Sequence, residues 1–105
     1  MIYRIRAYSR TNGRRGPRFD PFSLTIDCTS GLSIARTLAG TTCTLDIAGI
    51  DVDIIDGRPA GQPSVAVTFT ARTKNVIEVY MSPEDLALWI GDASAALVAP
   101  ALAHR

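Results

Sequence analysis

Arg10, Arg14, Arg15 and Arg18 fall within nine residues, interleaved with Asn12, Gly13 and Gly16. A guanidinium group is a planar fork of donors that meets phosphate or carboxylate through two parallel hydrogen bonds. Glycine-rich backbone beside such groups adds amide donors that can converge on an anion. Tyr8, just before the cluster, and Phe19, just after Arg18, offer rings on which a nucleobase could stack. The chemistry on offer is anion recognition, directed at a nucleic acid, a phosphate ligand or an acidic protein surface. The segment GRRGPR matches neither the phosphate loop G-x-x-x-x-G-K-[ST] nor the dinucleotide fingerprint G-x-G-x-x-G. Ten of the eleven basic residues are arginine, Lys74 being the exception, and GC-rich coding produces that bias without functional meaning. The bland alternative is a solvated loop that only keeps the chain soluble.

Asp46, Asp51 and Asp53 form a second candidate within TCTLDIAGIDVDIID, residues 42–56. A two-residue turn at Ala48-Gly49 would set Ile47 against Ile50, Leu45 against Val52 and Cys43 against Ile54, giving a hairpin with one apolar face. The same register opposes Asp46 and Asp51 on the other face and places Asp53 beside them. Like charges opposed across strands repel and invite a cation. Arg4 and Arg6, on the outer phase of the first strand, would supply it in a surface salt-bridge ladder. A basic partner would also serve, including the arginine loop of a second copy in a self-complementary homo-oligomer. The calcium loop D-x-[DN]-x-[DN]-G-x₅-E is missing, so no metal is expected.

Catalytic constellations are sparse. The one histidine, His104, is the penultimate residue, and G-x-S-x-G, S-x-x-K and H-E-x-x-H do not occur. Asp51 and Asp53 as a hydrolytic carboxylate pair lack any sign of a cleft. The expectation is a protein that is not an enzyme and uses no cofactor. Cys28 and Cys43 both fall on the apolar phase of expected strands and read as buried free thiols.

Alternating apolar and polar residues place strands at 2–8 and 22–28, joined by a loop over 9–21 whose Gly13, Gly16, Pro17 and Pro21 argue against regular structure. Thr29 or Ser30 would cap a short helix over residues 32–39, with Ile34 and Leu38 spaced i,i+4 and Gly40 at its end. The hairpin of 42–56 follows, then the turn-rich run of 56–63. A second hairpin over 64–81 turns at Thr73-Lys74-Asn75, with Asn75 left-handed, and pairs Phe69 with Val79, Ala71 with Ile77 and Val67 with Met81. Ser82-Pro83-Glu84-Asp85 is a strong helix start, and Leu86, Trp89 and Ile90 make the buried stripe. Gly91-Asp92 would end that helix and begin a second one, carrying Leu97, Val98 and Leu102 and kinked at Pro100.

With 105 residues, 47% apolar and 20% charged, the chain suits one globular domain over 1–105. The expected fold class is α+β: a mainly antiparallel sheet of about six strands, including two consecutive hairpins, with a short helix after strand 2 and C-terminal helices packed on one face. A partly closed β-barrel is the alternative. No apolar run approaches the roughly 20 residues that cross a bilayer as a helix, and MIYRIRAYSR has no signal-peptide core. A cytoplasmic protein without a membrane partner is expected.

Net charge is +1, yet residues 1–20 carry six arginines against Asp20, and residues 21–60 carry five aspartates against Arg36 and Arg58. That asymmetry leads to the functional expectation. It is a small protein–protein interaction module of inhibitor or adaptor type, such as a phage or mobile-element accessory protein, using the arginine loop and the acidic hairpin face. The alternative is a nucleic-acid or phosphate-ligand binder acting through Arg10, Arg14, Arg15, Arg18 and Tyr8.

Overall fold

A computed structural model describes residues 1–38, 40–56 and 62–103, with side chains at all of these except 38 and 99–103. Six strands, β1 (Ile2–Gly13), β2 (Gly16–Asp27), β3 (Ser33–Leu38), β4 (Thr41–Ile54), β5 (Val65–Ala71) and β6 (Val76–Met81), precede one helix, α1 (Pro83–Ala103). Each strand is antiparallel to the next, and the ring closes where Tyr8 of β1 meets Tyr80 of β6. This closed barrel with a single helix replaces both the open α+β sheet and the partly closed barrel expected from the sequence.

Three local readings give way, each for a stated reason. The segment 9–21 is not a loop: β1 and β2 pair without a break from Ile2↔Asp27 to Gly13↔Gly16. Its prolines are tolerated because β3 pairs with β2 only from Leu24 onward, so the outer edge of β2 at Pro17 and Pro21 has no strand awaiting an N–H. Residues 33–38 form a strand where a helix was expected. Leu32, Ile34 and Arg36 share one phase of a period-2 pattern, with Leu32 and Ile34 buried, and Gly40 at φ 80 serves the turn into β4. Ala39 lies outside the described residues. The segment 42–56 is not a hairpin but most of one strand, β4, whose first half pairs with β3 and second half with β5. Ala48 is a bulge there: Ile47 pairs with Ala71 and Gly49 with Thr70, leaving Ala48 as the extra residue.

The second hairpin forms with its register displaced by two. Phe69 faces Ile77, Val67 faces Val79 and Val65 faces Met81. A slip of two keeps every side chain on its own face, whereas a slip of one would exchange them. Lys74, at φ 74, takes the left-handed position assigned to Asn75. The turn-rich run before β5 lies partly, at residues 57–61, outside the described residues.

α1 starts as its sequence predicts, with the backbone N–H of Asp85 donating to Ser82 Oγ at 3.1 Å. It then continues through Gly91 and Asp92 and past Pro100 as a single helix. Burial of Trp89, Ala93 and Ala96 outweighs the helix penalty of Gly91, about 1 kcal/mol. Trp89 is fully buried, stacks on Phe69 with ring centroids 5.7 Å apart, and donates from Nε1 to Met81 Sδ at 3.4 Å. Truncating so buried a side chain costs about 3–5 kcal/mol. Leu86, Ile90 and Leu97 pack on the core, while Val98 is exposed. Cys28 and Cys43 are free, and Cys43 is exposed where a buried thiol was expected.

Candidate functional site

The arginine cluster sits on a ribbon built by β1 and β2. Along β1, Ile5 and Ala7 are buried while Arg4, Arg6 and Arg10 are exposed, so the outer face is basic. Past Tyr8, β1 has no pairing with β6, and before Leu24, β2 has none with β3. Residues 9–20 therefore pair only with each other, as a two-stranded arm. Arg14 and Arg15 make its turn, and Gly16 at φ 110 supplies the left-handed backbone that neither arginine adopts.

The root of the arm is held against β6. Phe19 meets Tyr80 edge-on, with centroids 5.3 Å apart and planes at 73°. The Tyr80 hydroxyl donates to Glu78, and Arg10 lines one concavity with both of them and with Asn12. Burial, then the Glu78 bond, push that hydroxyl's pKa up. A larger concavity of about 600 Å³ runs between the arm and Gln62-Pro63, and it brings together Tyr8, Arg14, Arg15, Arg18 and Phe19. Four of the five predicted contact residues meet here, and Arg10 stands apart. The contribution of Gln62 and Pro63 escaped the sequence reading, because they reach the arm only through the barrel's closure.

Within the arm, Arg18 Nε lies 3.0 Å from Asp20 Oδ1, both side chains well exposed, so the pair contributes little. It is the one salt bridge among the described residues. The expected ladder between Arg4, Arg6 and the aspartates does not form. In a ring of six, β4 lies opposite β1, and Asp46, Asp51 and Asp53 are exposed on that far side. Nor are Asp46 and Asp51 opposed: Asp46 faces Ser33 and Asp51 faces Thr68, while Asp53 faces Ala66. The acidic face is the outside of one strand.

Among the described residues no group of three or more His, Cys, Asp or Glu side chains could hold a metal ion, and no helix is long and apolar enough to cross a membrane. The arrangement sets guanidinium donors beside two aromatic rings on one side of the barrel and a row of carboxylates on the other. Comparison with protein-family models, curated proteins and solved structures finds no match to this chain.

Proposed function

We propose that this chain is a non-enzymatic interaction module, of inhibitor or adaptor type, that engages an acidic protein surface with its arginine ribbon and offers the β4 aspartates to a basic one. The observation that carries this reading is the placement of β1 and β4 across the ring. Opposite charges held on opposite sides of a barrel cannot neutralise one another within the molecule, so each face keeps its field for a partner. Nucleic acid is the second reading. A two-stranded ribbon fits the major groove of a duplex, and Tyr8 and Phe19 flank the arginines as stacking rings would.

Anisotropy of labelled polyglutamate, polylysine and short DNA across a salt series separates the two. Polyglutamate binding should weaken about tenfold or more when serine replaces Arg14, Arg15 and Arg18, and polylysine binding should be lost in Asp51→Lys/Asp53→Lys. Duplex DNA bound with a log–log salt slope of about −3 to −4, falling by about three units in the serine variant, would transfer the ribbon to nucleic acid. Failure to bind any of these polymers near physiological salt removes both faces from the function.

A further inference from the structure

Inside the barrel, away from the ribbon, is a cavity of about 330 Å³ to which α1 contributes none of its described side chains. Leu24, Ile34 and Val79 are buried in its floor, and Leu45 and Ile77 stand half-buried in its walls. Into this apolar space points a guanidinium. Arg36 pairs across the sheet with Leu24 on one side and Cys43 on the other, so it shares the inward phase of both neighbours. Its guanidinium carbon lies 4.6 Å from the ring centroid of Phe22. Its Nε is buried and has no hydrogen-bond partner. Among the described residues no carboxylate lines the cavity, and Cys43 adds only a thiol.

Arginine cannot escape such a position by losing its proton. A buried donor left unmatched is destabilising, and contact with the Phe22 ring offsets that without supplying an acceptor to Nε. The missing group is an anion with a planar pair of acceptors, which a carboxylate provides to Nε and one terminal nitrogen together. Size fixes the rest. A volume of about 330 Å³ with an almost wholly aliphatic lining suits a carboxylate that carries an alkyl chain of medium length. We propose that the barrel binds a medium-chain alkyl carboxylate, its head group on Arg36 and its chain among Leu24, Ile34, Leu45, Ile77 and Val79. This site is independent of the charged faces.

Calorimetric titration of the full chain with decanoate, and with decanol as the uncharged control, tests it. Decanoate should bind one-to-one, with decanol at least about tenfold weaker. Arg36→Met should bring decanoate down to the level of decanol without changing decanol itself, and Ile77→Trp, which fills the cavity, should abolish both. Serine at Arg14, Arg15 and Arg18 should leave decanoate binding intact, which separates this site from the ribbon. Thermal melts establish that each variant folds, and Arg36→Gln takes the place of Arg36→Met should the latter not. No one-to-one binding of decanoate by the wild-type chain, or binding by the folded Arg36 variant as tight as wild type, overturns the proposal.

Discussion

Tyr3 ties the first strand to the helix: its hydroxyl donates to the Asp92 carboxylate. Only the neutral phenol can make that bond, so the hydroxyl's pKa is pushed from 10.0 up to about 12, the Asp92 hydrogen bond being the largest cause. A folded value above the unfolded one means that the contribution to stability is full below pH 10.0 and fades as the pH climbs toward 12. Titration of tyrosinate absorbance should therefore show a late phase near pH 12 in the wild-type chain that is missing in Tyr3→Phe and moved downward in Asp92→Asn. A late phase that survives in Tyr3→Phe would assign it to another tyrosine, Tyr80 being also pushed up. Gly91-Asp92 reads locally as the end of one helix and the start of another, which would give Asp92 the role of a cap. Its partner stands 89 positions away, and no local pattern announces a contact at that distance. The arm's arginines were legible for the converse reason, since exposed guanidinium groups at a tight turn need no tertiary neighbour. Arg36 was not, because arginine is an outside residue by default and its inward phase is set by Leu24 and Cys43.

β4 shows why elements were harder to read than residue types. Ile47 and Ile50 are three apart in a pattern of period two, and a phase change of that kind has two physical solutions, a two-residue turn or a bulge. Gly49 next to the break favoured the turn, yet it has no positive φ, and the strand continues. The arm posed the reverse problem: its glycines and prolines suggested irregularity that an unneighboured edge makes unnecessary. In β3, Ile34 and Leu38 satisfy i,i+4 and period two at once, and only the presence of β2 and β4 on either side decides for the strand. The outward basic phase of β1 was legible. The strand count agreed only because β3, expected as a helix, makes up for β4, expected as two strands. The ring was not legible, because closure rests on one pair, Tyr8↔Tyr80. The bulge gives a direct test. Deleting Ala48 keeps Ile50 and Val52 on the inner phase, since the strand then runs at regular period two, and the chain should still melt cooperatively by circular dichroism at a reduced midpoint. Deleting Asp51 instead turns Asp53 onto the inner phase opposite the buried Val67 and should lower the midpoint further than the Ala48 deletion does. Two-state melting of the Asp51 deletion near the wild-type midpoint would contradict the bulge assignment.

At the scale of the molecule, the ring turns a charge asymmetry along the chain into one across space, with arginines on β1 and the arm, and aspartates on β4 opposite. The self-complementary contact expected from the sequence does not suit this geometry. A two-fold interface uses the same patch on both copies and would bring arginine to arginine or aspartate to aspartate. A second copy can satisfy the two faces only head to tail, arm against β4, and each such contact leaves an arm and a β4 face open at the ends of the assembly. Self-association driven by these charges is therefore open-ended, weakens as salt shortens the screening length to about 8 Å at physiological strength, and has no preferred dimer. Reversing one face at a time isolates the effect. A variant with glutamate at Arg14, Arg15 and Arg18 has an acidic arm tip as well as an acidic β4, and one with lysine at Asp46, Asp51 and Asp53 is basic on both faces. Sedimentation velocity should find each variant monomeric by itself, and their mixture should form a concentration-dependent series of larger species that disperses with added salt. A mixture that remains monomeric at low salt reserves both faces for other proteins, and a discrete dimer from the wild-type chain would mean that contacts other than these charges join the copies.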